Sequence, residues 1–284
     1  MVEFRSQKAK EQCPKIRPLV QPGPELTAAQ RERFARHISL KDIGEIGQRR
    51  LCNARVLMVG AGGLGSTALP YLAAAGVGTI GIVDADRVDL SNLQRQIIHS
   101  TAAIGELKVD SAARRLRELN PELKVVTFPI HLTEENAWET LRGWDAVVDG
   151  TDNLATRYLI SDAAVSLGMP EVFGSVLQWG AQISVFWTGQ RAVSAGFPGP
   201  DGLSLRDVFP HEPAADALPK TADVGIMGTV PGMTGTLMAS EAIKLITGTG
   251  RLLVGRILYV DSSGMRVSEI PFGPLGVHNV RGGP

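Results

Sequence analysis

Short apolar runs alternate with longer stretches of helical period along this chain. Arg55-Val-Leu-Met-Val59 is the first such run, and Thr79-Ile-Gly-Ile-Val83 the second. Lys124–Phe128, Asp145–Asp149, Glu171–Phe173 and Ala181–Trp187 read as further strands. Between them lie helical patterns: 66–76, 105–120 stopped by Pro121, 133–142 with Thr133 as N-cap and Glu134 and Glu135 in the first turn, and 154–167. This alternation predicts an α/β protein with a doubly wound, mainly parallel sheet. Upstream, a helix begins after Thr27, and a second short helix over 43–52 leads into the first strand. Downstream, residues 229–247 form a helix rich in small side chains. Residues 256–260 and 265–270 then form a closing hairpin, so antiparallel strands extend the sheet. Residues 1–25 read as a flexible arm, 26–274 as one domain with a long crossover loop at 188–224, and 275–284 as a tail.

The first strand ends in Gly60-Ala-Gly62-Gly63-Leu-Gly65, with Gly60, Gly62 and Gly65 in Rossmann-like GxGxxG spacing between a strand and a helix. In that context the first glycine makes the turn, the second lets a phosphate approach the backbone, and the third lets helix and strand pack closely. Free N–H groups and the helix dipole then face an anion. Asp84 ends the second strand at the spacing of a ribose-binding carboxylate, roughly 20 residues on.

Composition narrows the partners. The 284 residues carry 29 basic and 29 acidic side chains, which gives no electrostatic reason to expect nucleic acid or an anionic membrane. No apolar run reaches the ~18 residues of a membrane span, and the first residues carry no apolar signal core. Two cysteines, Cys13 and Cys52, form no disulfide framework, and a reducing cytoplasm is the expected compartment. The five histidines, at 37, 99, 131, 211 and 278, show no metal-ligand spacing and are expected to be structural or exposed.

A polar cluster recurs at the carboxyl ends of the strands, where open α/β sheets bind ligands. Asp84 and Asp86 follow one strand, Ser91, Asn92, Gln94 and Arg95 the loop after it, Lys108 the next helix, and Asp152-Asn153 another strand. Each has a plainer explanation alone: Arg95 on a solvated loop, Lys108 on a helix face, Asp152 as an N-cap. Together they fit a triphosphate and a divalent metal better than a nicotinamide. Arg and Lys neutralise phosphate as a fork and as a point charge, and an Asp is a hard ligand for magnesium.

The stretches Arg33-Phe-Ala-Arg36-His37-Ile38, Gly60–Gly65, Val83–Asp86, Ser91-Asn-Leu-Gln-Arg95-Gln, Gly105-Glu-Leu-Lys108, Asp149–Arg157 and Pro231–Gly235 with Glu241-Ala-Ile-Lys244 resemble the ThiF/MoeB/HesA family, bacterial relatives of ubiquitin-activating enzymes. The resemblance runs over about 26–272 and implies their fold and a single adenylation domain. It further implies an ATP- and magnesium-dependent nucleotidyltransferase. Such an enzyme adenylates the C-terminal glycine of a ubiquitin-like sulfur carrier ending in Gly-Gly, releasing pyrophosphate, for cofactor or cysteine biosynthesis. Adenylation of another carboxylate or amide (a peptide or a tRNA base) and a catalytically lapsed carrier-binding protein are the alternatives. By resemblance, Gly60, Gly62, Gly63 and Gly65 line the nucleotide turn and Asp84 holds the ribose. Ser91, Asn92, Arg95 and Lys108 hold phosphates and Asp152 holds magnesium, with Asp86, Leu93, Gln94 and Asn153 completing the nucleotide site. Arg95, Lys108 and Asp152 are the catalytic set. Arg36 joins them from the partner subunit of a homodimer.

The chain departs from that pattern in two places. Many members carry two CxxC pairs for structural zinc; this one has none, so no zinc site is expected. Thr221 stands where many carry a cysteine in the crossover loop, which removes the thiol a thioester or persulfide would need. Cys52 is expected to be a small buried apolar residue. Gln178-Trp-Gly-Ala-Gln182 also differs from the charged-aromatic pattern usual at that position, which leaves the identity of the bound tail open.

Overall fold

Five apolar strands of four to seven residues, each followed by a return of chain containing a helix where the sequence continues the pattern, build the parallel part of the sheet. The computed structural model describes residues 16–197, 202–213 and 221–273. In chain order the elements are α1 (Ala28–Arg33), α2 (Ala35–Ile38), α3 (Gly44–Asn53), β1 (Arg55–Val59), α4 (Gly65–Ala75), β2 (Thr79–Val83), α5 (Lys108–Leu119), β3 (Lys124–Phe128), α6 (Ala137–Leu141) and β4 (Ala146–Asp149). There follow α7 (Leu154–Leu167), β5 (Glu171–Leu177), β6 (Gly180–Thr188), α8 (Gly189–Ser194), β7 (Gly202–Leu203), α9 (Thr221–Val224), α10 (Thr229–Thr247), β8 (Arg256–Asp261) and β9 (Arg266–Pro271).

The strand order is β3-β2-β1-β4-β5-β6-β8-β9, with β7 paired to β6. β3 to β5 run parallel, and β6, β8 and β9 add antiparallel strands, as the sequence predicts. Register brings Val59 level with both Val83 and Asp149, so the ends of β2, β1 and β4 open at one level. Alternation along β1 shows why both faces are covered. Val56 and Met58 belong to a core with α4, α5 and α10, whereas Leu57 and Val59 belong to a second core with α6 and α7. Leu57 and Met58 have no exposed surface, and burial of such a side chain contributes about 1.5–3 kcal/mol.

The sequence reading needs correction in several places. Thr27 does cap a helix, in a capping box with Gln30, but the helix breaks at Phe34 into α1 and α2, where the Phe34 ring is buried. The helix expected over 133–142 is only Ala137–Leu141. Thr133 does not cap it; its amide instead donates to the Asn136 side chain, which also holds the His131 carbonyl. Residues 16–25 of the expected arm are packed. The Leu19 amide donates to Leu245, Val20 is buried, and Arg49 holds the Gly23 carbonyl. The crossover segment is anchored too: Phe197 packs edge-on against Trp187, and the Tyr158 hydroxyl donates to the carbonyls of Phe209 and His211. Apolar residues spaced irregularly through a Gly- and Pro-rich stretch carry no period, so the sequence conceals this packing. Cys13, His278 and the tail lie outside the described residues.

Candidate nucleotide site

The glycine turn is fixed by backbone contact. Gly60 has φ +93, and a Cβ there would lie 2.8 Å from the Gly150 carbonyl oxygen. A Cβ on Gly65 would lie 2.2 Å from the Gly60 oxygen. A Cβ on Gly62, by contrast, would meet only Gln96 Nε2, at an ordinary 3.6 Å. Neither sterics nor a left-handed backbone requires glycine at 62, so the open space over that residue is a cradle a side chain would fill. Among the described residues the amides of Gly62 and Gly63 donate to nothing. The start of α4 has no side-chain cap, so free donors and the helix dipole converge where an anion fits. Ser66 Oγ and Gln96 Oε1 are buried nearby without a partner.

Asp84 holds this turn from below. Its Oδ2 accepts from the Ala61 amide and its Oδ1 from the Asp86 amide, both at 2.8 Å. Each oxygen keeps a second lone pair for a ribose hydroxyl. Lys108, the first residue of α5, is tied twice to Asp86. Its amide donates to the Asp86 carbonyl at 2.9 Å, and Nζ meets Oδ2 at 2.7 Å. The Lys108 side chain is 7% exposed and that of Asp86 60%, so a buried stem delivers one charge to the rim.

The loop after β2 is a self-bonded turn. Asp89 caps a short helical turn and accepts from the amide and hydroxyl of Ser91, which hold its carboxyl below the usual range. Arg95 Nη1 donates to the Ser91 carbonyl, and its stem runs past Gly63. Asn92 donates weakly to the Ser91 hydroxyl at 3.5 Å. Leu93 and exposed Gln94 continue this turn. The Gln94 backbone lies against α10, since a Cβ on Gly228 would be 2.2 Å from its carbonyl oxygen. A Cβ on Gly235 would likewise be 2.2 Å from the Leu64 carbonyl oxygen. The small residues of α10 therefore let it press on the turn, while Glu241, paired with Lys244, accepts from the Leu253 amide at its far end.

At the end of β4, Asp149 is wholly buried and its Oδ1 accepts from both the amide and the hydroxyl of Thr151. Asn153, not Asp152, caps α7, its side-chain oxygen accepting from the Thr156 amide. That removes the plainer explanation for Asp152. Its carboxylate is exposed and has no partner among the described residues, and the Gly150 backbone beside it touches Gly60. An exposed, unpaired hard oxygen donor beside an anion cradle fits magnesium. Arg36 on α2 is exposed and makes no ion pair or side-chain hydrogen bond among the described residues.

His99, expected to be structural or exposed, is structural. It is buried, with Nε2 3.0 Å from the Ala61 carbonyl and Nδ1 3.0 Å from Ser111 Oγ. A carbonyl only accepts, so Nε2 carries the proton and Nδ1 accepts from the serine. Burial lowers its pKa and keeps the ring neutral, with Lys108 adding to the effect. His99 thus joins the glycine turn to the helix that begins with Lys108, across 38 residues that no local motif reveals. Cys52 lies at the opposite end of β1, about 16 Å away along the strand. It is half-buried, takes a contact from Gln48 at 3.7 Å, and burial pushes its thiol up.

The ThiF family model matches residues 34–275. A Thermus thermophilus protein named sulfur carrier protein adenylyltransferase is 45% identical over 236 residues, covering 83% of this chain and 85% of that one. The Mycobacterium tuberculosis protein named probable adenylyltransferase/sulfurtransferase MoeZ is 46% identical over 255 residues, covering 89% of this chain. This chain spans 63% of the length of that relative. Among solved structures, Escherichia coli MccB with ATP superposes with a TM-score of 0.70 at 18% identity, covering 92% of this chain and 76% of MccB, a likeness of fold. With matches that run from α2 to the end of the hairpin and take in the glycine turn, Lys108 and Asp152 together, the chain belongs to the ThiF family.

Proposed function

We propose that this chain uses ATP and magnesium to adenylate the C-terminal glycine of a ubiquitin-like sulfur carrier protein. The observation that carries the reading is the open cradle over Gly62, with unpartnered amides and an uncapped helix start, rimmed by the Lys108 ammonium. The name of the Thermus relative, which this chain nearly covers, supports the substrate class.

In this reading the carrier carboxylate forms a bond to the α-phosphorus, and the bond from that phosphorus to the oxygen bridging to the β-phosphate breaks. Pyrophosphate leaves with its electron pair. No general base is required, because a carboxylate is ionised at neutral pH. The demand is to hold two anions together and to neutralise charge on the leaving group. Glycine-turn amides and the α4 dipole hold phosphate; Lys108 and Arg95 add positive charge; Asp84 orients the ribose. Asp152 would hold the metal, which when bound supplies Lewis-acid charge to phosphate oxygens.

Exposed Arg36, with no ion pair or side-chain hydrogen bond among the described residues, completes the neighbouring site in an isologous homodimer. With Thr221 opening α9 and Cys52 at the far end of β1, the chain in this reading stops at the acyl-adenylate; sulfide from outside then bonds to the acyl carbon and AMP leaves, giving the thiocarboxylate.

The reading is tested by following pyrophosphate release with candidate carriers. Release must require both carrier and ATP, and a carrier lacking its terminal glycine must be inert. Mixing Arg36→Ala with Lys108→Ala chains should restore activity in mixed dimers. A mixture as inactive as either parent, with subunit exchange verified, would exclude the action of Arg36 in trans.

A further inference from the structure

A cluster of buried charged side chains, Asp149, Arg157 and Glu171, has no part in the steps above. In register, Asp149 of β4 stands opposite Phe173 of β5, and Glu171 opposite Val147. The two acids therefore occupy diagonal positions on one face of adjacent strands, and α7 covers that face. Glu171 is 1% exposed and Asp149 0%. Arg157 of α7 is buried with them. Its guanidinium lies 5.0 Å over the Phe173 ring and donates to the Thr151 carbonyl. Asp149 Oδ1 is taken by Thr151, but among the described residues Asp149 Oδ2 and both Glu171 oxygens lack a well-formed hydrogen bond, with Ser161 of α7 the polar neighbour of Glu171.

Two buried carboxylates and one guanidinium leave an uncompensated anion if all three are charged, which is costly. A neutral carboxylic acid removes that charge and supplies an O–H to a cluster short of donors. Thr151 would then be gripped on two sides, at its amide and hydroxyl by Asp149 and at its carbonyl by Arg157. We propose that Glu171 is a positioning residue for the adenylation step. Held as the neutral acid, it leaves Arg157 to Asp149 and so fixes the 150–153 loop that presents Asp152.

This inference rests on the adenylation reading and deepens it. The charged groups facing Glu171 are Asp149 from β4 and Arg157 and Asp162 from α7; its β6 neighbour in register is Phe186. Burial pushes the Glu171 carboxyl up to about 8, Asp149 adds to this, and Ser161 and Arg157 oppose it. Ionisation in mildly alkaline solution would therefore set a second anion competing for Arg157 and loosen its hold on the Thr151 carbonyl.

The test uses the full-length protein. Infrared spectra at pH 7 should show the carbonyl stretch of a protonated carboxyl in the wild type, absent from Glu171→Gln. The wild-type dissociation constant for magnesium-ATP should rise about tenfold as pH passes through that ionisation, and the profile of Glu171→Gln should be flat. No such band, a flat wild-type profile, or the same alkaline rise in the variant would overturn the proposal. If Glu171→Gln does not fold, the wild type decides: band and affinity must titrate together, and separate titrations would refute the link. If the wild type binds no magnesium-ATP at any pH, the adenylation reading and the positioning role fall together, and the infrared band tells that failure from a wrong protonation state.

Discussion

On the β2 side of the glycine turn, His99, Ser111 and Lys108 each have a partner within 3.0 Å. On the β4 side, Asp149 and Glu171 leave three buried oxygens without a well-formed hydrogen bond among the described residues. The first cluster is a satisfied network, which specifies one arrangement of turn and helix. The second holds more acid than base and must adjust its protonation instead. The same sheet thus supports one end of the nucleotide site by fixed hydrogen bonds and the other by a group that titrates.

The largest expected effect breaks the satisfied side. Lys108→Met keeps most of the buried stem and removes the charge. Carrier-dependent pyrophosphate release should fall about 100- to 1,000-fold, while thermal unfolding shifts little, because the abandoned Asp86 is exposed.

Stability against pH sharpens the contrast, because the two clusters slope in opposite directions. The folded pKa of Glu171 is raised from 4.5 to about 8. Between those values the folded state binds more protons, so this group makes the protein less stable as pH rises through that window. The total is on the order of a few kcal/mol. His99 is lowered from 6.5. Its contribution is present above the unfolded value and is lost as pH falls below it. Glu171→Gln should therefore raise the midpoint of chemical unfolding more at pH 8 than at pH 5; an equal change at both would place Glu171 outside the titrating pair.

A third test compares two glycines of the turn between the clusters. Gly65→Ala places a methyl 2.2 Å from the Gly60 oxygen and should cost about 1–3 kcal/mol of stability. Gly62→Ala meets only Gln96 Nε2 at 3.6 Å, so folding should be unchanged while magnesium-ATP binding weakens on calorimetry. The smallest effect comes from Ser111→Ala. It leaves His99 Nδ1 buried without a donor and should cost about 1 kcal/mol in urea unfolding.

The elements around β1 were legible because their signals are local: an apolar run, a glycine spacing, a helix that begins at Lys108. The small residues of α10 were visible too, although their purpose, close approach to Leu64 and Gln94, was not. Glu171 reads in sequence as an ordinary first residue of a strand. Its burial depends on α7 lying across it, a tertiary fact with no periodic trace. The structural character of His99 was expected, but its partners were not, because Ala61 and Ser111 are distant in sequence and one contributes a backbone group. Thr133 looked like an N-cap by residue type, but the Asn136 side chain took its amide and shortened the helix.

At Gly60, Gly65, Gly228 and Gly235 the nearest neighbour is backbone, joined at Gly235 by the Thr67 hydroxyl. For chimera building this makes 60–65, 94–95, 150–151 and 228–235 a single indivisible block, though they are scattered across the chain. Exchanging one of these segments with a family member keeps the fit only if the donor brings the same bare backbone to each contact. The hairpin of β8 and β9 makes none of these glycine contacts, so it can be exchanged separately from that block.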